Sequence, residues 1–578
     1  MMAVFKLNII LSLAVLSIAF ALEHGQTNQH RLGPEKIPVH EIPSFGSHRY
    51  RCDQSHALDP SDDGLLSSQD VFSGLDAIDT LVKRHRPLVQ IPSICYDDLG
   101  DVDDDKRWEP FNKIPNVLKE SYPNIHEIAT IEIVNKFGLV YQIFGSDEGL
   151  APILLTAHQD VVPVEEATID RWGYPPFDAF YNETDGFLWG RGASDDKSRI
   201  TALMSAMEAL LSQKDYEPRR SVIFAFGFDE ECSGYRGAGE IAKYLEEQHG
   251  EGGFAVILDE GGAGLQNLDD TLYALPGVYE KGYLDVWFDL DVIGGHSSVP
   301  PPHTAIGMIS EIVTGLESSP FEPKIMWESP VHQALICLAR YSPYALPDLT
   351  NIIYHGDLDA AAHYLAYASS NTQYFIQTSQ AVDWIAGGEK INSLPEFVTL
   401  GVNHRIAPQD TIGSVQYRVA KLAERVARKY SLQLRAFEDD DDYRRYLAAE
   451  GISSEDDKAH HQWKPTYNGT LTLRSGKKSH VTPQTPTSGP IWDIFAGTVR
   501  HTFAKEASRV IAAPGAMTAN TDSRHYLNLS KHIYRWSPGS LASFGNIHTI
   551  NERVQLGELS NMAKFYYDFI RNFDQADI

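Results

Sequence analysis

Strand patterns and helix patterns alternate through the central third of the chain, and this alternation constrains the fold more than any other feature. Apolar runs at 151–155, 221–226 and 254–258 predict buried strands, and apolar residues at helical spacing predict helices at 198–211 and 237–248. Strands that alternate with helices in this way form a mostly parallel sheet covered by helices. Functional sites in such sheets lie beyond the carboxyl ends of the strands.

The pattern of elements changes after Glu280 and predicts a second domain. A strand–helix–strand–helix–strand order within 282–438 indicates an α+β domain inserted into the first domain, which then comprises residues 61–281 and 439–578. Residues 439–490 begin with acids and continue with Gly, Ser, Thr and Pro, which predicts an exposed loop. A chain of 578 residues is too long for one ordinary core.

The N-terminal segment predicts entry into the secretory pathway. Lys6 precedes the apolar run Leu7–Ala21, which ends in the small-residue pattern Ala-Phe-Ala, so residues 1–21 are a signal peptide or an uncleaved signal anchor. Residues 22–60 are polar and without periodicity, which predicts an extended leader. Membrane attachment is expected only through the N-terminal segment. The expected location is the vacuole lumen or membrane, or the outside of the cell.

Composition and small motifs narrow the class of protein. The formal charge of −29 excludes a nucleic-acid partner, because binding to phosphates needs a basic face. Four cysteines are too few for a disulfide scaffold, although two of them could pair in an oxidising compartment. Sequons at Asn182, Asn468 and Asn528 are compatible with a secreted glycoprotein.

Acidic residues follow each predicted strand of the central sheet. The set consists of His158 with Asp160, Asp195 with Asp196, Asp229–Glu231, and Asp259 with Glu260. Because these residues lie at strand–helix junctions, the fold would bring them to one edge of the sheet, where unneutralised carboxylates repel strongly. Imidazole and carboxylate ligands together suit zinc or a related ion. The surplus of acids indicates two metals that share a bridging carboxylate.

Several motifs occur in a fixed order along residues 50–575. They are His158-x-Asp160, Gly190-Arg-Gly-Ala-Ser-Asp195, Asp229-Glu-Glu231, Asp259-Glu-Gly-Gly262, Gly294-Gly-His296, Gly387–Asn392, Thr521-Asp-Ser-Arg524 and Phe544–Glu552 with His548. In these motifs the chain resembles the M20 family of metallopeptidases, especially the carboxypeptidase S (Gly-Xaa carboxypeptidase) branch and the related secreted N-acyl-amino-acid amidases. The resemblance implies a zinc-peptidase catalytic domain, in which helices flank a mixed sheet, and an inserted α+β lid of ferredoxin-like type at 282–438. It leaves open a homodimer formed through the lid.

The resemblance also implies the ligands of a metal centre. Two Zn²⁺ ions per subunit would be bound by His158, Asp195, Glu231, Asp259 and His548, with Asp195 as the bridge. Glu260 is an open alternative to Asp259, and we favour Asp259. Asp160 would hydrogen-bond to His158 and orient it. Glu230 would be the general base that takes a proton from the attacking water and passes it to the leaving amine. His296 would donate to the substrate carbonyl or oxyanion, Arg524 would bind the substrate carboxylate, and Asn392 would assist.

These assignments predict a zinc-dependent carboxypeptidase that cleaves short peptides of Gly-Xaa type beside the C-terminal residue. The alternative is a hydrolase and synthase of N-fatty-acyl amino acids, since both substrates carry an amide beside a free carboxylate. A non-catalytic binding protein on the same fold is the alternative from another class. Loss of Glu230, Asp195 or His548 would mark that alternative, and all three are present. No serine-hydrolase elbow and no His-Glu-x-x-His motif occurs.

Overall fold

The computed structural model describes residues 51–452 and 469–578, and the chain within them divides into two compact units. The first unit contains the chain up to Tyr279 together with Glu328–Gly356 and Pro483–Ile578, and the second contains Glu280–Trp327 and Asp357–Thr482. The signal segment 1–21, most of the leader and the sequon at Asn468 lie outside the described residues. Within the described ranges, the helices are too short or too polar to span a bilayer.

The regular elements follow the predicted order. The strands are β1 Thr130–Val134, β2 Gly138–Ile143, β3 Ile153–His158, β4 Phe180–Asn182, β5 Phe187–Trp189, β6 Val222–Gly227, β7 Val256–Leu268, β8 Thr271–Ala274, β9 Gly277–Glu280, β10 Gly282–Asp291, β11 Gly295–His296, β12 Ser379–Gly387, β13 Ser393–Leu394, β14 Phe397–Ile406, β15 Gln433–Ala436, β16 Thr470–Ser479, β17 Arg509–Ala512, β18 Gly515–Met517, β19 Ile533–Ser540, β20 Phe544–Gly545 and β21 Arg553–Gln555. The α-helices are α1 Ser68–Phe72, α2 Leu75–Val89, α3 Ile114–Ser121, α4 Pro123–Ile128, α5 Lys197–Leu211, α6 Ala238–His249, α7 Ala305–Glu317, α8 Pro330–Tyr341, α9 Pro347–His355, α10 Leu358–Ala368, α11 Ser370–Phe375, α12 Ile412–Tyr430, α13 Asp441–Ala449, α14 Pro490–Thr502 and α15 Leu556–Gln575. The strands and helices predicted for the central third are therefore confirmed.

A ten-stranded mixed sheet forms the core of the first unit, as predicted. Its main path runs β1-β2-β6-β3-β7-β19-β9-β18, and β3 pairs in parallel with both β6 and β7. Apolar residues of β3, β6 and β7 pack with Ile241 and Leu245 of α6, while α5 and α15 contact β3 and β19. Arg199 of α5 is fully buried and donates to the carbonyl oxygens of Thr156, Leu258 and Trp536. One guanidinium therefore binds the backbones of three neighbouring strands, β3, β7 and β19.

The second unit is an α+β domain with its own core. Its sheet has the order β12-β14-β10-β16-β15, in which β15 and β16 are parallel and the other pairs are antiparallel. Along β10, Leu284, Val286, Phe288 and Leu290 are buried and alternate with more exposed residues, as the sequence pattern predicts. These residues share a core with α7 and α12.

The structure differs from the predicted domain limits in two places. The segment predicted as an exposed loop at 439–490 contains α13 and β16, and β16 pairs with both β10 and β15 of the second unit. Because those pairings extend the sheet, the second unit continues to Thr482 rather than ending at 438. Residues Glu328–Gly356, which fall inside the predicted lid, belong instead to the first unit.

Two disulfides link distant parts of the first unit. Cys52 pairs with Cys337 of α8, and Cys95 pairs with Cys232. The first bridge connects the N-terminal segment to Glu328–Gly356, and Tyr341 also donates a hydrogen bond to the carbonyl oxygen of Cys52. The cysteines thus form two pairs, where the sequence predicts at most that two of them could pair.

Replacement of Cys52 and Cys337 by alanine is expected to destabilise the protein without unfolding it. The bridge closes a loop of 285 residues, and loss of such a crosslink costs about 2–4 kcal/mol because the unfolded chain gains entropy. The urea midpoint of the double variant measures the loss against the oxidised wild type. An unchanged midpoint would mean that the bridge does not constrain the unfolded chain.

Glu558 at the start of α15 makes the stability of the first unit depend on pH. Its carboxyl accepts hydrogen bonds from the Ser540 amide and the Ser543 hydroxyl. Burial raises the pKa of Glu558 to about 7, although these two donors oppose the shift. Because the folded pKa lies above the unfolded value, this group contributes stability at low pH that is lost as the pH rises towards 7.

Replacement of Glu558 by glutamine removes that titration. The variant is expected to match the wild type near pH 4.5 and to exceed it by about 3 kcal/mol at pH 8, where the wild type must hold a largely buried carboxylate. Thermal unfolding at both pH values measures the difference. The control is Glu240→Gln, on the exposed ion pair with Lys243, which should show no such pH dependence.

Candidate metal centre

The predicted site residues lie at the carboxyl ends of β3 and β6 and at the adjacent position within β7. His158 is the last residue of β3, Glu230 and Glu231 form the 3-10 turn Glu230–Cys232 after β6, and Glu260 lies within β7. Since β3 lies between β6 and β7 in parallel register, these side chains meet at one edge of the sheet. Asp195 reaches the same edge from the loop that precedes α5.

Asp195 lies between the two histidines. Its Oδ1 is 3.1 Å from Nε2 of His158, and its Oδ2 is 3.1 Å from Nε2 of His548. One carboxylate therefore presents a separate oxygen to each imidazole. This is the geometry that a carboxylate shared by two metal ions requires.

Each histidine has a second acidic neighbour. Oε1 of Glu231 lies 3.0 Å from Nε2 of His548, and Oε1 of Glu260 lies 3.8 Å from Nε2 of His158. Asp259, which we favoured from the sequence, is directed elsewhere: its carboxylate accepts hydrogen bonds from Thr156 and from the amide of Ser523. Glu260, the alternative, faces the histidine instead, because successive residues of a strand point to opposite sides.

Asp160 connects His158 to the turn that carries Glu230 and Glu231. Its Oδ1 lies 3.3 Å from Nδ1 of His158, and its two carboxylate oxygens accept hydrogen bonds from the backbone amides of Glu230 and Glu231. This contact fixes the orientation of the His158 ring and leaves Nε2 directed at Asp195. The position agrees with the orienting role that we predict for Asp160.

Glu552 is a residue of the site that the sequence analysis did not assign. It is buried, its Oε1 accepts hydrogen bonds from the amides of Ser194 and Asp195, and its Oε2 accepts one from the guanidinium of Arg191. It therefore holds the loop that carries the bridging carboxylate. The only sequence signal for Glu552 is its position four residues after His548, in the same motif Phe544–Glu552.

The electrostatics of the cluster indicate that it needs cations. Burial alone would lower the pKa of His158, but Glu260 and the other carboxylates raise it well above its usual value. Burial by itself would also lower the pKa of His548, but hydrogen bonds to Asp195 and to a neighbouring glutamate raise this pKa to about 11. Burial and like-charged neighbours raise the pKa of Glu230 and Glu260 well above normal. Imidazole and carboxylate ligands fit zinc or a related metal. Two overlapping triads have ligand atoms close enough together to hold an ion, namely His158 with Asp195 and Glu231, and His158 with Asp196 and Glu260.

The predicted substrate-binding residues fall into two groups. His296 and Asn392 lie at the exposed two-stranded sheet β11–β13 of the second unit, where the amide of Ser297 donates to the carbonyl oxygen of Asn392. Arg524 lies in the first unit, in the 3-10 segment Asp522–His525. His525, next to it, donates from Nε2 to the carbonyl oxygen of Ser233, so this segment adjoins the turn that carries Glu231.

The sheet, the flanking helices and the acidic centre at the strand ends define a metal-dependent hydrolase. The chain belongs to peptidase family M20/M25/M40, whose family model matches residues 154–572. It is therefore a hydrolase that acts on peptide bonds, and the predicted family is confirmed.

Relatives and solved structures agree with this assignment. Carboxypeptidase S of Saccharomyces cerevisiae is 34% identical, over 94% of this chain and 93% of its own. The N-fatty-acyl-amino acid synthase/hydrolase PM20D1 of Mus musculus is 29% identical, over 84% of this chain and 86% of its own. Human carnosine dipeptidase 1 shares the fold with a TM-score of 0.57 at 13% identity, over 88% of this chain and 99% of that chain.

Replacement of Glu552 by glutamine is expected to weaken metal binding about 10–100-fold, the usual cost of losing a group that orients a ligand. The glutamine side chain carries no charge to balance Arg191. It has only one oxygen, so it cannot accept hydrogen bonds both from Arg191 and from the two backbone amides in the way that the carboxylate does. Titration with Zn²⁺ measures the affinity. Glu558→Gln, which changes a partly buried carboxyl away from the centre, is the control, and equal affinities in both variants would contradict the role of Glu552.

Proposed function

We infer that this protein is a two-zinc carboxypeptidase that cleaves the amide bond beside the C-terminal residue of short peptides of Gly-Xaa type. The observation that carries this proposal is the position of Asp195, with one oxygen towards His158 and the other towards His548. His158 and Glu260 would hold one ion, His548 and Glu231 the other, and Asp195 both. This assignment replaces Asp259 by Glu260.

Zinc held by such ligands supplies a Lewis acid that polarises a carbonyl group and increases the acidity of water. The chain itself supplies the proton transfer. Within the described residues the carboxylate of Glu230 accepts no hydrogen bond, while its backbone amide is bound to Asp160. Glu230 would take the proton of the attacking water and deliver it to the nitrogen of the leaving amino acid.

The substrate carboxylate needs a cation, and Arg524 is our candidate. A guanidinium binds a carboxylate through two parallel hydrogen bonds, which would fix the C-terminal residue of the peptide. His296 would donate to the carbonyl oxygen under attack, with Asn392 next to the paired strand β13. These three roles stay predictions.

The relatives support two substrate classes. Similarity to carboxypeptidase S is greater and extends over more of the chain, which favours peptides. The second candidate is hydrolysis or synthesis of N-fatty-acyl amino acids, which the name of the mouse relative states for that protein. Both reactions use the same centre, because both break an amide beside a free carboxylate.

We place the enzyme in the secretory pathway, in a vacuole or outside the cell. All four cysteines are paired, and disulfides persist in oxidising compartments. Of the sequons within the described residues, Asn528 is exposed and Asn182 is partly exposed.

Replacement of Glu230 by glutamine is expected to lower kcat about 10²–10⁴-fold, because the amide cannot accept the proton. Zinc content should stay at the wild-type level, since Glu230 is not among the proposed ligands. Metal analysis and kinetics on the same sample measure both. The control is Glu240→Gln on the exposed face of α6, and normal turnover in Glu230→Gln would contradict the mechanism.

Hydrolysis of a blocked Gly-Leu dipeptide and of an N-oleoyl amino acid tests the substrate. We expect cleavage of the dipeptide, abolished by a chelator and restored by Zn²⁺, because the ligand set is built for metal. Preference for the oleoyl substrate would assign the protein to the second candidate. Cleavage of neither by zinc-replete protein would exclude both substrate classes.

A further inference from the structure

The Cys95–Cys232 disulfide joins the chain directly beside the proposed base and ligand. Cys232 is the last residue of the turn Glu230–Cys232, and its partner lies 137 residues earlier. Cys95 is only 2% exposed. A covalent link therefore begins one residue from Glu231 and two residues from Glu230.

The other end of this link is bound to the segment that follows β3. The amide of Cys95 donates to the carbonyl oxygen of Val161 (3.0 Å), and the amide of Val161 donates to the carbonyl oxygen of Ser93 (2.9 Å). The hydroxyl of Ser93 donates to the carbonyl oxygen of Gln159 (2.7 Å). Cys95 is thus held to the backbone immediately after His158.

The turn has a second, non-covalent attachment to the same segment. The carboxylate of Asp160 accepts hydrogen bonds from the amides of Glu230 (3.2 Å) and Glu231 (3.0 Å), which fixes the start of the turn. The disulfide fixes its end. Ser233 follows with φ 95°, a left-handed conformation that residues with a side chain adopt only when their surroundings enforce it.

We propose that the Cys95–Cys232 disulfide is a positioning element of the active site, which holds the Glu230–Glu231 turn against the segment after His158 and thereby sets the rate of hydrolysis. The cysteines touch no substrate and act through the two glutamates. The proposal rests on the proposed function, because it takes Glu230 as the base and Glu231 as a ligand. Misplacement of a catalytic group by about 1 Å can cost ~10²-fold in rate.

The test replaces both cysteines, Cys95→Ala with Cys232→Ala. In zinc-replete protein, kcat for the dipeptide is expected to fall ~10-fold or more with a much smaller change in KM, since the lost contact orients the base rather than binds substrate. The assay temperature lies well below the unfolding midpoint, so that loss of folded protein does not contribute. Wild-type kcat in this variant would overturn the proposal.

The other disulfide supplies a matched control. Cys52→Ala with Cys337→Ala removes a bridge of the same unit between the N-terminal segment and α8, and its cysteines lie outside the turn and the β3 segment. This variant is expected to unfold at a lower temperature and to keep the wild-type kcat. An equal fall of kcat in both double variants would assign the loss to general destabilisation and overturn the proposal.

If the Cys95→Ala, Cys232→Ala protein does not fold, reduction of the folded control variant answers the same question. Tris(2-carboxyethyl)phosphine converts the remaining disulfide to two thiols, takes up the oxygen of one water and becomes the phosphine oxide. With zinc resupplied before each assay, kcat should fall as two thiols per chain appear and return after reoxidation with glutathione disulfide. Constant kcat with two thiols titrated would overturn the proposal.

Failure of the proposed function would look different. The oxidised wild-type protein would then hydrolyse neither the dipeptide nor the oleoyl substrate, and that result is obtained before any cysteine is changed. If the wild type is active and the Cys95→Ala, Cys232→Ala variant has the same kcat, the result contradicts only the positioning role of the disulfide.

Discussion

The repulsion between crowded carboxylates is the constraint on which the first unit depends. Asp195, Glu231 and Glu260 are each partly buried and approach two imidazoles at one edge of the sheet, where reduced contact with water strengthens the interactions between charges. Such a cluster is stable only when cations neutralise it and when the backbone keeps the acids in place. The surrounding structure supplies the second condition, through the three strands bound by Arg199 and the loop held by Glu552.

The same arrangement explains why one fold serves two candidate chemistries. The proposed centre would recognise an amide next to a carboxylate, which a peptide and an N-acyl amino acid both contain. Selectivity must then come from the groups that contact the acyl side, which lie outside the proposed ligand set. The relatives, a carboxypeptidase and a fatty-acyl amino acid hydrolase, are consistent with divergence at such positions.

Local patterns predicted the central sheet well, because β3, β6 and the first residues of β7 are short apolar runs and the helices α5 and α6 occur between them in the chain. They could not choose between Asp259 and Glu260. That choice depends on a hydrogen bond from Ser523, 264 residues away, which only the folded chain brings close. Glu552 and the extension of the second sheet by β16 were missed for the same reason, since pairing between distant segments has no local signal.

The proposed ligands extend from His158 to His548 in a chain of 578 residues. During synthesis the ribosome releases the amino-terminal residues first, so the sheet edge with its acids is exposed long before the last histidine emerges. The full set of proposed ligands exists only after the chain has been synthesised past His548. A chain that stops before His548 therefore lacks one of the two histidines of the proposed centre, and it is not expected to act as a peptidase.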